Sequence, residues 1–215
     1  MIDVALTAFV TLFVIIDPVG LAPLFVALTQ GMSREARNRI GLRACLIAIG
    51  VLALFGIAGE RLLDLVGIGL PAFRIAGGIL LFLIAVEMLF ERRAQRREKT
   101  VDTQAQDAHA GSHDPSVFPL ATPLLAGPGA LATMILLMGQ QSGDLTAQAA
   151  IMGMMVAVVG TAYILFRLSA YVERLLGQTG ISVITRLLGM LLAALSVQFV
   201  LDGLNNLGLL PGGAG

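Results

Sequence analysis

The sequence predicts an all-α membrane protein of six transmembrane helices, built as two inverted three-helix repeats whose first and fourth helices are broken by proline and glycine. Three observations carry this expectation. The 215-residue chain is 57% hydrophobic and 13% charged, with a mean hydropathy of +0.88, far from soluble globular usage and within the polytopic membrane class. Its arginines and lysines fall in alternate loops. Two motifs, DPVGLAP at 17–23 and TPLLAGP at 122–128, interrupt long apolar stretches with prolines at the same spacing.

Uncharged stretches place the spans at residues 4–28, interrupted by Asp17; 44–59; 75–90, carrying Glu87; 117–139; 145–166; and 187–201. The second and sixth fall short of the ~20 residues that a hydrocarbon core asks for, and snorkelling Arg43 and Arg186 recruit a further turn. The first stretch lacks the basic region and cleavage pattern of a signal peptide, so it is expected to stay as a spanning helix.

Lys and Arg close to the spans stay in the cytoplasm. The loop after the first span holds Arg34, Arg37, Arg39 and Arg43, that after the third Arg92, Arg93, Arg96, Arg97 and Lys99, and that after the fifth Arg167, Arg174 and Arg186. The other loops and the termini hold only Arg61 and Arg74, a bias of twelve against two. Both termini are therefore expected on the extracytoplasmic side of a multi-pass plasma-membrane protein.

The polar, charge-mixed residues 91–116 read as a cytoplasmic linker between a first three-helix repeat, 1–90, and a second, 117–215. Each half has an odd number of spans, so the second enters from the opposite side and the repeat is inverted. Sliding the third span onto the sixth aligns Gly78 with Gly189, Ala85 with Ser196 and Glu87 with Gln198. That offset is 111 residues against 105 for the proline motifs, a difference that a short length change between the halves accounts for.

Asp17–Pro18 and Thr122–Pro123 each read as an N-cap with proline at the first helical position, where a missing N–H costs nothing. Pro23 and Pro128 then lie too deep for a regular first turn, and Gly20, Gly127 and Gly129 permit irregular backbone around them. Free N–H groups at such starts, backed by the helix dipole, attract a carboxylate. One such motif reads as a kink that shapes helix packing; the duplication favours a shared binding site. An ionisable group at the middle of a span costs about 2.5 to 3.5 kcal/mol and faces a cavity or a partner. Asp17 thus reads as the group that holds a substrate ammonium, a coupling cation or a proton, or as a helix cap, and the two roles are compatible. Glu87, one turn from the cytoplasmic arginines, reads as an Arg-paired interfacial carboxylate and as the second coupling candidate. Arg74, about 20 Å from Glu87 along the same helix, is expected to anchor the opposite interface. Thr133, Ser196, Gln198 and Asn205 read as path-lining or helix-bridging groups, and Gly77, Gly78 and Gly189 as points of close helix approach.

Other chemistries find little support. Cys45 reads as a buried inert thiol. His109 and His113, flanked by Asp107 and Asp114, have a spacing that could hold a metal on a helix, but in a polar connector they read as solvated, and no metal site is assigned. No catalytic motif appears, so an enzyme is not expected, and no cofactor is implied. Zero formal net charge and the absence of aromatic-interleaved basic runs set nucleic acid aside.

The stretches DPVGLAPLF at 17–25, LPAFRIAGGILLFLIAVEML at 70–89 and PLATPLLAGPGA at 119–130 resemble the MarC family of bacterial integral membrane proteins over nearly the whole chain. Leu21 stands where that family often has asparagine. The resemblance implies a six-helix inner-membrane protein distantly similar to the lysine exporter superfamily; some archaeal relatives of the family are regarded as transporters of small neutral amino acids such as glycine and alanine.

Residues and resemblance together point to a secondary transporter of a small solute, a small neutral amino acid, coupled to a proton or cation. The expected substrate site is Asp17, Pro18, Gly20, Pro23, Thr122, Pro123, Gly127, Pro128 and Gly129, with Asp17 and Glu87 in coupling. The partners are the solute and the lipid bilayer, with a homo-oligomer left open. The rivals are a non-transporting membrane scaffold and a metal-ion exporter that uses Asp17 and Glu87 as ligands.

Overall fold

The computed structural model describes residues 2–93, 95–98 and 114–209. The first span is α1 (Ile2–Ile16) continued by α2 (Pro18–Leu28), the second α3 (Arg34–Val66) and the third α4 (Leu70–Leu89). The fourth is α5 (Ser116–Leu125), wound in wide π turns, and α6 (Pro128–Gln140), bent by 56° relative to it. α7 (Leu145–Arg167) and α8 (Ser169–Asn206), the latter broken at Gly177, complete the chain. Five helices are long and apolar enough to cross a membrane, and the bent α5–α6 pair makes a sixth. Among the described residues there is no strand.

Local chemistry sets the ends. The Ser33 hydroxyl accepts from the Ala36 N–H to start α3, and Gly67, at φ 76, ends it. Asp144 accepts from the N–H groups of Thr146 and Ala147 to start α7. The helices run well past the expected apolar stretches, α3 covering 34–66 rather than 44–59. Charged residues such as Arg39 and Glu60 end the hydrocarbon segment without ending the helix, because both are good helix formers.

The first span packs on α7 and α8, the fourth packs on α3 and α4, and α4 lies along α8 in the most extensive helix pairing. Leu46, Leu54, Ile57, Phe82, Ile164 and Leu191 face outward, as a lipid-solvated surface requires. Close approach of α4 and α8 depends on missing side chains. A Cβ on Gly78 would lie 2.8 Å from the Ser196 carbonyl oxygen, and one on Gly189 3.3 Å from that of Ala85. In the alignment of the third span with the sixth, Gly78 matches Gly189 and Ala85 matches Ser196.

Arg74, one turn into α4, lies on the face that carries Gly77 and Leu81; it is 8% exposed, and of its nitrogens Nε is buried without a partner. That face packs on α6, where a Cβ on Gly77 would meet Leu136 at 3.0 Å. Helical periodicity places 74, 77 and 81 together.

Gly78→Ala is expected to lower the thermal stability of the detergent-solubilised protein by about 1–3 kcal/mol, because backbone rather than a flexible side chain must move. Gly50→Ala, at a helical glycine with nothing within 4 Å of its Cβ position, should leave stability unchanged or raise it by up to about 1 kcal/mol.

Candidate functional site

Pro18 has no N–H, so the carbonyl of Val14 loses its regular helical partner and the first span breaks there. Asp17, at φ 56, turns the chain in the left-handed region, and its Oδ1 accepts from the Gly20 N–H at 3.1 Å, capping α2. The expected cap and the first-position proline are both in place. Gly20 is required, since a Cβ there would lie 2.2 Å from Asp17 Oδ2. Gly20 N–H is thereby diverted from Ile16 O, its regular acceptor. Pro23 sits inside α2 and Leu21 is fully buried.

The freed carbonyls find partners far along the chain. Glu91, at φ 58, ends the helix that α4 begins and re-aims the next residues, so that Arg93 and Arg97, four apart, return to the break. Arg93 Nη2 donates to Ile15 O at 2.6 Å and Nη1 to Met88 Sδ at 2.9 Å. Arg97 Nη2 donates to Ile16 O at 3.3 Å, and its Nη1 lies 3.4 Å from Asp17 Oδ2, both side chains being nearly buried. Two guanidinium groups thus replace the missing peptide donors and oppose both the carboxylate and the negative end of the α1 dipole. Burial first, then the charge of Arg97, lowers Arg93 to about 9 against the opposite pull of Asp17 and Glu87, so it remains a cation at neutral pH.

The second motif differs from expectation. Thr122 is extended (φ −129, ψ 126), follows no helix start, and donates through Oγ1 to Val117 O at 3.3 Å. Pro123 lies within the π-wound α5, and the Phe118–Pro119 and Thr122–Pro123 peptides are cis. The half-helix begins instead at Pro128, with Gly127 as its N-cap. Both glycines are needed for tertiary fit: a Cβ on Gly127 would lie 2.6 Å from Pro123 O, and one on Gly129 2.7 Å from Ile84 and 3.4 Å from Ile15. The start of α6 is therefore pressed against the end of α1.

The two breaks meet at the same arginines. A cavity of about 470 Å³ is lined by Asp17, Gly20, Pro23, Arg93 and Arg97, with Thr185 and Ser182 of α8 opposite. A second, of about 240 Å³, is lined by Pro123, Gly127, Pro128 and Gly129, with Glu87, Arg93, Arg96 and Arg97. Arg93 and Arg97 belong to both. Charged residues balance in the first, where Asp17, Glu91 and Glu98 face Arg93, Arg97 and Arg186. The second has three arginines against Glu87 alone, beside the positive end of α6. One cavity thus presents a carboxylate, and the other an anion-attracting surface.

All nine expected substrate-site residues lie at the two breaks; Pro18 and Thr122 alone line neither cavity. Glu87 is paired with Arg96 at 2.9 Å, as expected. At the mouth, the Ser182 hydroxyl and then Arg186 hold the Glu91 carboxyl below its usual range. Asp114 is likewise held low by the Ser116 hydroxyl and N–H, and pairs with Arg43. Ser196 donates to Ala193 O and Gln198 to Asp202, while the Thr133 hydroxyl is buried without a partner. His109, His113 and Asp107 lie outside the described residues. Sequence reasoning missed Arg93, Arg97 and Thr185. The four-residue spacing of the two arginines directly after a span was the available signal, hidden by their role in the loop charge count.

The family model described as MarC family integral membrane protein matches residues 2–207. The chain is 38% identical over 200 residues to a UPF0056 membrane protein of Aquifex aeolicus, covering 93% of this chain and 92% of the relative. It is 38% identical over 206 residues to a UPF0056 membrane protein of Archaeoglobus fulgidus (92% and 90%). The UPF0056 inner membrane protein YhgN of Escherichia coli is 35% identical over 202 residues (93% and 95%). No solved structure matches.

Arg93→Ala is expected to lower stability by about 1–3 kcal/mol, because it strips the buried Ile15 carbonyl of its donor. Arg96→Ala, which removes an exposed side chain and with it the pair with Glu87, should cost less than about 1 kcal/mol. Thermal unfolding of the two purified variants compares them directly.

Proposed function

From a chain that belongs to the MarC family of integral membrane proteins and breaks two spans beside one pair of arginines, we propose a secondary transporter of a small zwitterion. The solute is a small neutral amino acid, moved with a proton or a cation. The observation that carries the reading is the junction at Arg93 and Arg97. There the carboxylate of Asp17 faces one cavity and the start of α6, with excess positive charge, faces the other. A solute ammonium fits the first and its carboxylate the second, and non-helical backbone in a span is tolerated where it lines such a cavity.

Both termini lie on the extracytoplasmic side in this reading, and the halves are inverted repeats. The loop charges support the first proposition. The reciprocal Gly78–Ser196 and Gly189–Ala85 contacts, together with the way each broken span packs on a helix of the other half, support the second. The metal-exporter reading, which uses Asp17 and Glu87 as ligands, loses ground because the two line different cavities. Transport here is non-enzymatic and uses no cofactor.

Purified protein in liposomes should take up labelled glycine or alanine. Asp17→Asn, which keeps size and capping but loses charge and titration, should remain folded and lose uptake or its response to a pH gradient. Uptake by that variant at the parental rate, with the same pH dependence, would leave Asp17 as a cap only. Reporter fusions after the last helix should read extracytoplasmic and those near Gln104 cytoplasmic; finding both on one side would undo the inverted repeat.

A further inference from the structure

Three polar groups lie in the α1–α4–α6 region with no partner. Thr11 and Thr133 are fully buried with unpaired hydroxyls, and the nearly buried Arg74 has an unpaired Nε. Arg74 forms no ion pair among the described residues. Arg74 stands one turn into α4 with its stem and Nε enclosed, and an arginine so placed at the edge of a span serves a ligand or a pathway. Helical register sets these groups in line. Gly129 packs on Ile15 and Ile84, and Gly77 on Leu136 and Ala132, so Thr11 and Thr133 each lie one turn beyond the second cavity, with Arg74 farther along α4.

The repeat gives this line a meaning. The offset that aligns Gly78 with Gly189 also aligns Arg74 with Thr185, and α6 corresponds to α2. Thr185 stands in the open α2–α8 cavity together with Asp17. The corresponding α4–α6 interface is shut: Leu70 packs so tightly on α6 that a Cβ on Gly139 would lie 2.9 Å from it. Inverted repeats exchange such states, one side open while its image is closed.

We propose that Arg74 is the centre of a second anion-attracting site, closed in this structure, between α4 and α6. It opens to the extracytoplasmic side and takes the carboxylate of the solute. The proposal rests on the inverted-repeat transporter reading. When α4 and α6 part, the guanidinium meets the incoming carboxylate, and the hydroxyls of Thr133 and Thr11 lead it toward the positive start of α6. The unpaired groups are then partners held in reserve rather than packing faults.

Thiol accessibility tests this without relying on transport. In a Cys45→Ala background, Thr133→Cys is treated from the outer face with anionic sulfonatoethyl or cationic trimethylammonioethyl methanethiosulfonate. The thiol should react, and the anionic-to-cationic rate ratio, normalised to a small thiol in water, should fall about tenfold on adding Arg74→Gln and persist with Arg74→Lys. No reaction from the outer face, or a ratio indifferent to Arg74→Gln, overturns the site. As a control on folding, Arg74→Met should hold or raise the thermal midpoint, since it replaces an unpaired buried cation with an apolar chain; a marked fall would make Arg74 structural and overturn the proposal. Flat labelling with intact amino-acid uptake sinks this site alone, whereas Arg74-dependent labelling without uptake sinks the transporter reading and leaves the site.

Discussion

A spanning helix interrupted in mid-membrane leaves peptide carbonyls without donors, and the architecture depends on how that deficit is met. In hydrocarbon water is not at hand, so the donors must come from the protein or from a polar cavity beside the break. Here they are guanidinium groups: Arg93 on Ile15 O, and Arg97 on Ile16 O and Asp17. An apolar or amide side chain could not do this, because the end of α1 also carries the negative dipole end and a carboxylate. Arginine offers five donors and a fixed positive charge on a stem long enough to reach from the end of α4. The start of the polar connector is in this way bound to the core of the first half.

The same interaction brings the halves together. Gly129 lets α6 begin against Ile15, so the arginines that close the first break also line the cavity beside the second. Any movement of residues 91–98 alters both cavities at once. A ligand that competes for Asp17 or for the guanidinium groups therefore acts on backbone carbonyls as well as on side chains, and differential binding of that kind is what shifts a conformational equilibrium.

The span count, both breaks, the Asp17 cap and the α4–α8 glycines were legible, because each follows from hydropathy, proline chemistry or the lack of a side chain. The start of α6 was not. By type, Thr122 and Gly127 are comparable caps, and either proline of the motif suits a first helical position. The choice falls to Pro128 because only there do Gly127 and Gly129 fit against Pro123, Ile15 and Ile84, which is a tertiary fact. Arg93 and Arg97 were read only as loop charge and not placed at the break, since their return depends on Glu91 adopting a left-handed turn, for which its side chain gives no cue. The enclosure of the Arg74 stem follows from its register with Gly77 and Leu81, which points inward.

The halves also differ in a way that packing alone does not require. At the equivalent positions 17 and 122 stand Asp and Thr, and at 74 and 185 stand Arg and Thr. Each pair sets a charge against a threonine, with opposite signs in the two halves. Asp17 and Thr185 share the open cavity, while Arg74 lies on the α4 face that packs against α6. In the proposed inverted repeat these positions are images of one another, and their opposite charges suit the proposed solute, with a positive and a negative group, better than a simple cation or anion. In that reading the solute itself supplies a partner for Asp17 on one side and for Arg74 on the other.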